Sequence, residues 1–150
     1  MPQTYTKLVY HVVFATKDRR PFIDDEIRQD LQAYLGGIIR SLNGKPLVIN
    51  GTGDHVHILM ALSPTVALSE VMRAVKANSS KWIHEKWPAH DAFAWQAGYA
   101  AFTVSQSVCN DVYQYIAAQE KHHQKLTFDE EFTALLKRHE IDYDPAFVSR

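Results

Sequence analysis

The sequence predicts an α+β fold in which helices flank an antiparallel sheet. Three observations predict it. Extended apolar runs alternate with runs of 3.6-residue periodicity. Two pairs of extended runs are separated by short Gly-containing turns, which marks hairpins rather than parallel crossovers. The chain has 150 residues with 46% apolar content, enough for one core, so residues 1–150 are read as one domain.

The elements come in this order. Residues 7–16 (KLVYHVVFAT) are rich in β-branched and aromatic side chains and read as a strand buried on both faces, hence central. Pro21 separates it from the next element. Asp24 caps a helix running to about Asn43, with Ile27, Leu31, Leu35, Ile38 and Leu42 on one stripe; Gly44 supplies its stop. Residues 47–49 begin a second strand, NGTGD (50–54) is a turn, and HVHILMAL (55–62) is a third strand ended by Pro64. A second helix covers about residues 69–85, with Val71, Val75, Ser79 and Trp82 on its packing side. Residues 93–96 and 99–104 flank Ala97-Gly98 as a second hairpin. Ser107 caps a third helix running to about His122. Thr127 and Glu130 form a capping-box pattern that opens a last helix carrying Phe128, Phe132 and Leu135. The tail, residues 142–150, has no periodicity. The order β-α-β-β-α-β-β-α-α is close to a ferredoxin-like or RRM-like layout.

Composition sets bounds on function. No apolar run is long enough to cross a bilayer, and the N-terminus lacks a signal-peptide pattern, so a cytoplasmic protein with no membrane partner is expected. Cys109 is the only cysteine, which excludes an internal disulfide or a cysteine zinc cluster. The formal charge of -1 means that any nucleic-acid surface must come from local clustering. Two basic groups exist: Lys17, Arg19 and Arg20 after the first strand, and Arg73, Lys76 and Lys81 along the second helix. The acidic runs Asp24-Asp25-Glu26 and Asp129-Glu130-Glu131 read as solvated faces.

The third strand carries His-Val-His. Residues two apart on a strand share a face, so His55 and His57 present two imidazoles side by side, a good geometry for two ligands to one divalent ion. Val56, Ile58, Met60 and Leu62 take the other face. An H-x-H pair is weak by itself, since two half-exposed histidines on an open sheet would look the same. Its setting strengthens it: the pair opens an apolar strand directly after a Gly-rich turn.

The third helix reads SVCNDVYQYIAAQEKHH. Tyr115 and Gln119 are four apart and share a face, and His122 lies on the same stripe. A phenol is a poor nucleophile at neutral pH until a metal or charge stabilises the developing transition state. Gln119 offers a neutral carbonyl oxygen to such a metal, and two imidazoles plus one amide oxygen leave room for water and a scissile phosphate. Tyr113 is the rival nucleophile; it is about 120° from Gln119 around the helix, which favours Tyr115. His11 in the first strand reads either as facing the active site or as a satisfied core histidine, and His122 and His123 are auxiliary candidates for the metal shell or the scissile phosphate. Trp82, Trp87 and Trp95 read as packing residues, with base stacking the alternative.

These residues resemble the single-tyrosine HUH transposases of small single-stranded-DNA insertion sequences and their relatives associated with repetitive extragenic palindromes. YHVVFATKDRRP looks like the family's first strand and basic turn, GDHVHILM like its His-hydrophobic-His strand, VMRAVKANSSKWI like its second helix, FAWQAGYAAFTVSQS like its second hairpin and YIAAQEKHH like its tyrosine helix. The resemblance implies an HUH palm fold and a need for Mg²⁺ or Mn²⁺. It implies His55, His57 and Gln119 as metal ligands and Tyr115 as nucleophile. The implied reaction cleaves and rejoins single-stranded DNA near a hairpin formed by palindromic ends, through a 5′-phosphotyrosine link, by a homodimer. Lys17, Arg19, Arg20, Arg73, Lys76 and Lys81 would then bracket the hairpin through phosphate contacts.

Three other readings compete. A non-catalytic RRM-like nucleic-acid-binding module would place aromatics on an open sheet face, where this sequence puts histidines. A replication initiator or relaxase would need a longer chain. A two-His hydrolase without a covalent step would want a carboxylate as third ligand, and the sequence singles none out.

Overall fold

The computed structural model describes residues 3–122 and 126–148. It contains a four-stranded antiparallel sheet built from β1 (Val9–Ala15), β2 (Lys45–Gly51), β3 (His55–Ala61) and β4 (Ala100–Val104), in the order β2-β3-β1-β4. Helices α1 (Asp25–Ser41) and α2 (Leu68–Lys86) lie between strands in the chain; α3 (Cys109–Ala117), α4 (Gln119–His122), α5 (Phe128–Arg138) and α6 (Pro145–Val148) come after β4. This is the α+β, ferredoxin-like layout expected of the sequence.

The central place of β1 explains its composition. Val12 and Phe14 point to one face, where they meet Ile58 and Met60 and pack under Ile27, Leu31 and Leu35 of α1 and Val71, Met72 and Val75 of α2. Val13 and Ala15 point to the other face, joined by Ala100 and Phe102 and covered by Phe128, Leu135 and Leu136 of α5. Further along that face, Val9, Leu59 and Val104 pack on Ile116 of α3. Both faces of the sheet are therefore covered by helices, which leaves no open aromatic face of the RRM-like binding kind among the described residues.

Local signals account for the ends of α1. The Asp24 carboxylate accepts the Ile27 N–H at 3.0 Å, the cap expected from the sequence. At the other end Asn43, not Gly44, takes the left-handed position, with φ of 62°. Asn43 N–H donates to Arg40 O and Gly44 N–H to Ile39 O, both at 3.0 Å, the paired bonds of a Schellman stop. Gly44 is needed for closeness instead: a Cβ there would lie 2.7 Å from Ile39 Cγ2.

Three expected elements differ. Residues 93–96 form no strand; only an isolated bridge joins Thr16 to Trp95. The bridge is made by Lys17 N–H to Ala94 O and Gln96 N–H to Ala15 O, both at 2.9 Å, and side chains add to it. The Gln96 amide oxygen accepts the Ala15 N–H at 2.6 Å, and the Lys76 ammonium holds the carbonyls of Gln96 and Gly98. Ser107 caps nothing: its hydroxyl pairs with Ser105, and α3 begins after a 3₁₀ turn at Gln106–Val108. The third helix also breaks at Ala118. The Asn50 side chain donates to the carbonyls of Ile116 (3.0 Å) and Ala117 (3.2 Å), the acceptors that residues 120 and 121 would need to continue it.

The capping box of Thr127 and Glu130 opens α5 as expected, and its hydrogen bonds hold the Glu130 carboxyl below its ordinary range. Tyr143 of the aperiodic tail packs against the Phe102–Leu135 cluster. All three tryptophans pack on the core: Trp82 stacks on Tyr34 and Trp95 donates to the Ser79 hydroxyl. Ile83, rather than Trp82, is the fully buried residue at that end of α2. No helix among the described residues is long and apolar enough to cross a membrane.

Candidate functional site

The site grows from β3. Antiparallel register sets His57 beside Val13 and His55 beside Ala15, so both imidazoles share the face covered by α3, α4 and α5. The turn before β3 is tight. A Cβ on Gly51 would lie 2.1 Å from the His55 carbonyl oxygen, so only glycine fits. That turn also brings Asp54 and Thr52 to the His55 ring: Nδ1 is 2.8 Å from Asp54 Oδ1 and 3.0 Å from Thr52 Oγ1. His57 is held similarly, its Nδ1 2.8 Å from His11 Nε2. Burial, and then the neighbouring His57, push the His11 pKa down to about 3. His11 is thus neutral near pH 7, and its Nε2 can accept from a His57 Nδ1–H.

With both Nδ1 atoms occupied, both Nε2 atoms face inward. They meet Glu131 of α5: Oε1 lies 2.9 Å from His57 Nε2 and 3.5 Å from His55 Nε2. The other carboxylate oxygen, Oε2, accepts the Tyr115 hydroxyl and the Gln119 Nε2–H, the latter at 3.1 Å. Gln119 Oε1 is 3.0 Å from His55 Nε2. His55, His57 and Gln119 are fully buried and Glu131 nearly so. Burial first, and then the Glu131 hydrogen bond, raise the Tyr115 hydroxyl pKa above its ordinary value.

This donor set fits a divalent cation. His55, His57 and Glu131 each offer one ligand atom, and these atoms lie within 4.8 Å of one another. His55 gives a more specific indication. Acceptor oxygens face both of its ring nitrogens, Asp54 Oδ1 on one side and Gln119 Oε1 on the other. A neutral imidazole has one N–H and satisfies only one of them; a cation at Nε2 would satisfy the second. An Nδ1 held by a carboxylate is the usual support of a metal-binding histidine. Two imidazoles with carboxylate and amide oxygens suit a divalent first-row ion or Mg²⁺.

The residues singled out from the sequence fall into three sets. His55, His57, Tyr115 and Gln119 converge, although Tyr115 and Gln119 belong to two successive helices and not one. Lys17, Arg20, Arg73 and Lys81 are exposed. Arg19 pairs with Asp129 at 3.0 Å and lies over the Phe128 ring, which ties the basic turn to α5. Arg73, Lys76 and Lys81 ride on α2, which packs against the sheet face opposite the histidines. The His122 side chain and His123 lie outside the described residues.

Charge patterning places Glu131 in a solvated acidic run, and its burial corrects that. One sequence signal does mark it. Glu131 is three residues after Phe128 and four before Leu135, so it lies on the apolar stripe of α5. Beside Tyr115, a cavity of about 500 Å³ opens between β4, α3 and α5, lined by His11, Phe102, Glu131 and Arg138 among others.

Comparisons with known proteins bear on the family and the fold. A family model described as IS200-like transposase matches residues 4–119. The ISDra2 transposase TnpA of Deinococcus radiodurans is 24% identical over 118 residues, covering 75% of this chain and 84% of that protein. The transposase for insertion sequence element IS200 of Salmonella typhimurium is 29% identical over 115 residues, covering 73% and 75%. Among solved structures, a REP-associated tyrosine transposase bound to a REP hairpin shares the fold, with a TM-score of 0.55 at 13% identity over 77% of this chain and 67% of that one.

Proposed function

Because the chain belongs to the IS200-like transposase family, we propose that it cleaves and rejoins single-stranded DNA near a hairpin, with Tyr115 as nucleophile and a divalent metal as cofactor. The observation that carries the reading is the convergence of His55, His57, Gln119 and the Tyr115 hydroxyl on one buried carboxylate.

His55, His57 and Glu131 would hold Mg²⁺ or Mn²⁺, with Gln119 Oε1 as a neutral fourth donor. When bound, the ion neutralises charge on the non-bridging phosphate oxygens. The protein's own residues do the rest. Asp54 and His11 fix the two imidazoles with Nε2 inward. Tyr115 Oη attacks phosphorus, the bond to the 3′-oxygen breaks, and a 5′-phosphotyrosine link and a free 3′-OH result. Attack by a second 3′-OH reverses the step and rejoins the strand. DNA enters on the side where the cavity opens beside Tyr115. Exposed Lys17 and Arg20, in the turn that Arg19 ties to α5, are suited to phosphate contacts, and exposed Arg73 and Lys81 to a hairpin stem that wraps to the other side, whereas the Lys76 ammonium is already engaged by two backbone carbonyls. The working unit is a cytoplasmic homodimer whose chains each use residues 1–150 as one transposase domain.

The test is a labelled pool of single strands bearing imperfect palindromes, incubated with Mn²⁺. A denaturing-gel protein–DNA adduct is expected, and it should vanish in Tyr115→Phe. An adduct that survives in Tyr115→Phe would overturn Tyr115 as nucleophile. Cleavage with no adduct would point to the two-His hydrolase.

A further inference from the structure

The family match ends at residue 119, and Glu131 lies beyond it. The residue that closes the site is therefore supplied by a helix outside the matched region. Its two oxygens do different things: Oε1 faces the paired imidazole nitrogens, and Oε2 accepts from the Tyr115 hydroxyl.

We propose that Glu131 is a catalytic residue that bridges the site, accepting the Tyr115 proton at Oε2 while Oε1 belongs to the ligand set. The inference rests on the covalent reading above and deepens it. Two observations support it beyond the Tyr115 hydrogen bond itself. The carboxylate is buried, 2% exposed, so bulk water does not compete for the phenol proton at that atom. Gln119 Nε2–H donates to the same oxygen, which fixes its direction.

The step balances. The Tyr115 O–H bond breaks and its proton passes to Glu131 Oε2. The electron pair left on Oη forms the P–O bond. The P–O3′ bond breaks, and its electron pair leaves on the 3′-oxygen, which takes a proton from solvent. Glu131 lines the cavity beside Tyr115, through which its proton returns to solvent after the transfer, so no net proton is consumed. In the rejoining direction each transfer reverses. Because α5 carries this group, its anchoring to the basic turn through Arg19–Asp129 also positions the acceptor.

Glu131→Gln keeps the size of the side chain and removes its ability to take a proton. At saturating Mn²⁺ the adduct should form about 100-fold more slowly than in the parent, the lower end of general-base effects. Replacing Tyr115 with 3,5-difluorotyrosine, a more acidic phenol, should recover most of that loss in the Glu131→Gln background. A third measurement needs neither DNA nor metal. The ¹⁹F resonances of the fluorinated residue should move when Glu131 is replaced by glutamine. An unchanged adduct rate at saturating Mn²⁺ would reduce Glu131 to a ligand and overturn the proposal. Failure of the acidic phenol to restore the rate, or unmoved ¹⁹F resonances, would overturn it too. Absence of any adduct in the parent protein would instead sink the covalent reading.

Discussion

The two faces of the sheet are built on different principles. The face under α1 and α2 is held almost entirely by apolar side chains: Val12, Phe14, Ile58 and Met60 meet Ile27, Leu31, Leu35 and Val75, and the buried Ser79 hydroxyl is satisfied by Trp95. The face under α3, α4 and α5 mixes apolar clusters with a buried polar network of His11, His55, His57, Gln119 and Glu131. On the first face burial itself is the driving force. On the second, each polar group is tolerable only because another satisfies it, since an unpartnered buried group costs about 1–3 kcal/mol. Stability is therefore concentrated on one face and chemistry on the other.

Substitutions can break that division, and the largest effect belongs to the polar face. Tyr115→Phe should remove the adduct entirely while leaving the urea midpoint almost unchanged, as read by gel and by fluorescence. Next comes the apolar face. Met60→Ala should cost about 2–5 kcal/mol of unfolding free energy and leave Mn²⁺ affinity in calorimetry unaltered. Equal losses in both measurements would show that the faces are coupled. A smaller effect is expected at the support of a ligand. Asp54→Ala should weaken Mn²⁺ binding about 10- to 100-fold, with only a minor stability change. The smallest concerns the cap of the helix that carries Glu131. Thr127→Ala should cost about 1 kcal/mol, and hydrogen exchange should locate the loss in α5 rather than in α1 or α2.

The same division decides how much is legible from the sequence. The apolar face is legible almost completely. The stripe of α1, the Asp24 cap and the burial of β1 on both faces are local patterns with local causes. His55 and His57 are also legible, because strand alternation puts them on one face. Glu131 is not, because its partner His57 is 74 residues earlier in the chain and its immediate neighbours are acidic. Only its place on the apolar stripe of α5 marks it. Other contacts defeat the remaining expectations. Residues 94–96 bond to the end of β1 and not to residues 99–104, and the ammonium of Lys76 takes the carbonyls of Gln96 and Gly98. Neither contact leaves a periodic trace in the sequence.

Asn50 extends this to the movement of the nucleophile. Its amide clasps the last carbonyls of α3, so the segment bearing Tyr115 is pinned to β2, the strand next to the two imidazoles. One side chain thus works as a latch between the two halves of the reaction centre. With the latch undone, the carbonyls of Ile116 and Ala117 become available to residues 120 and 121, and α3 and α4 can join into one rod. In that rod Gln119 stands about 40° from Tyr115 around the axis, the arrangement that the unbroken periodicity describes. Joining them adds only Ala118 to the helix, so the readout is local: Asn50→Ala should slow hydrogen exchange at the amides of residues 120 and 121, and unchanged exchange would show that the break at Ala118 has another cause.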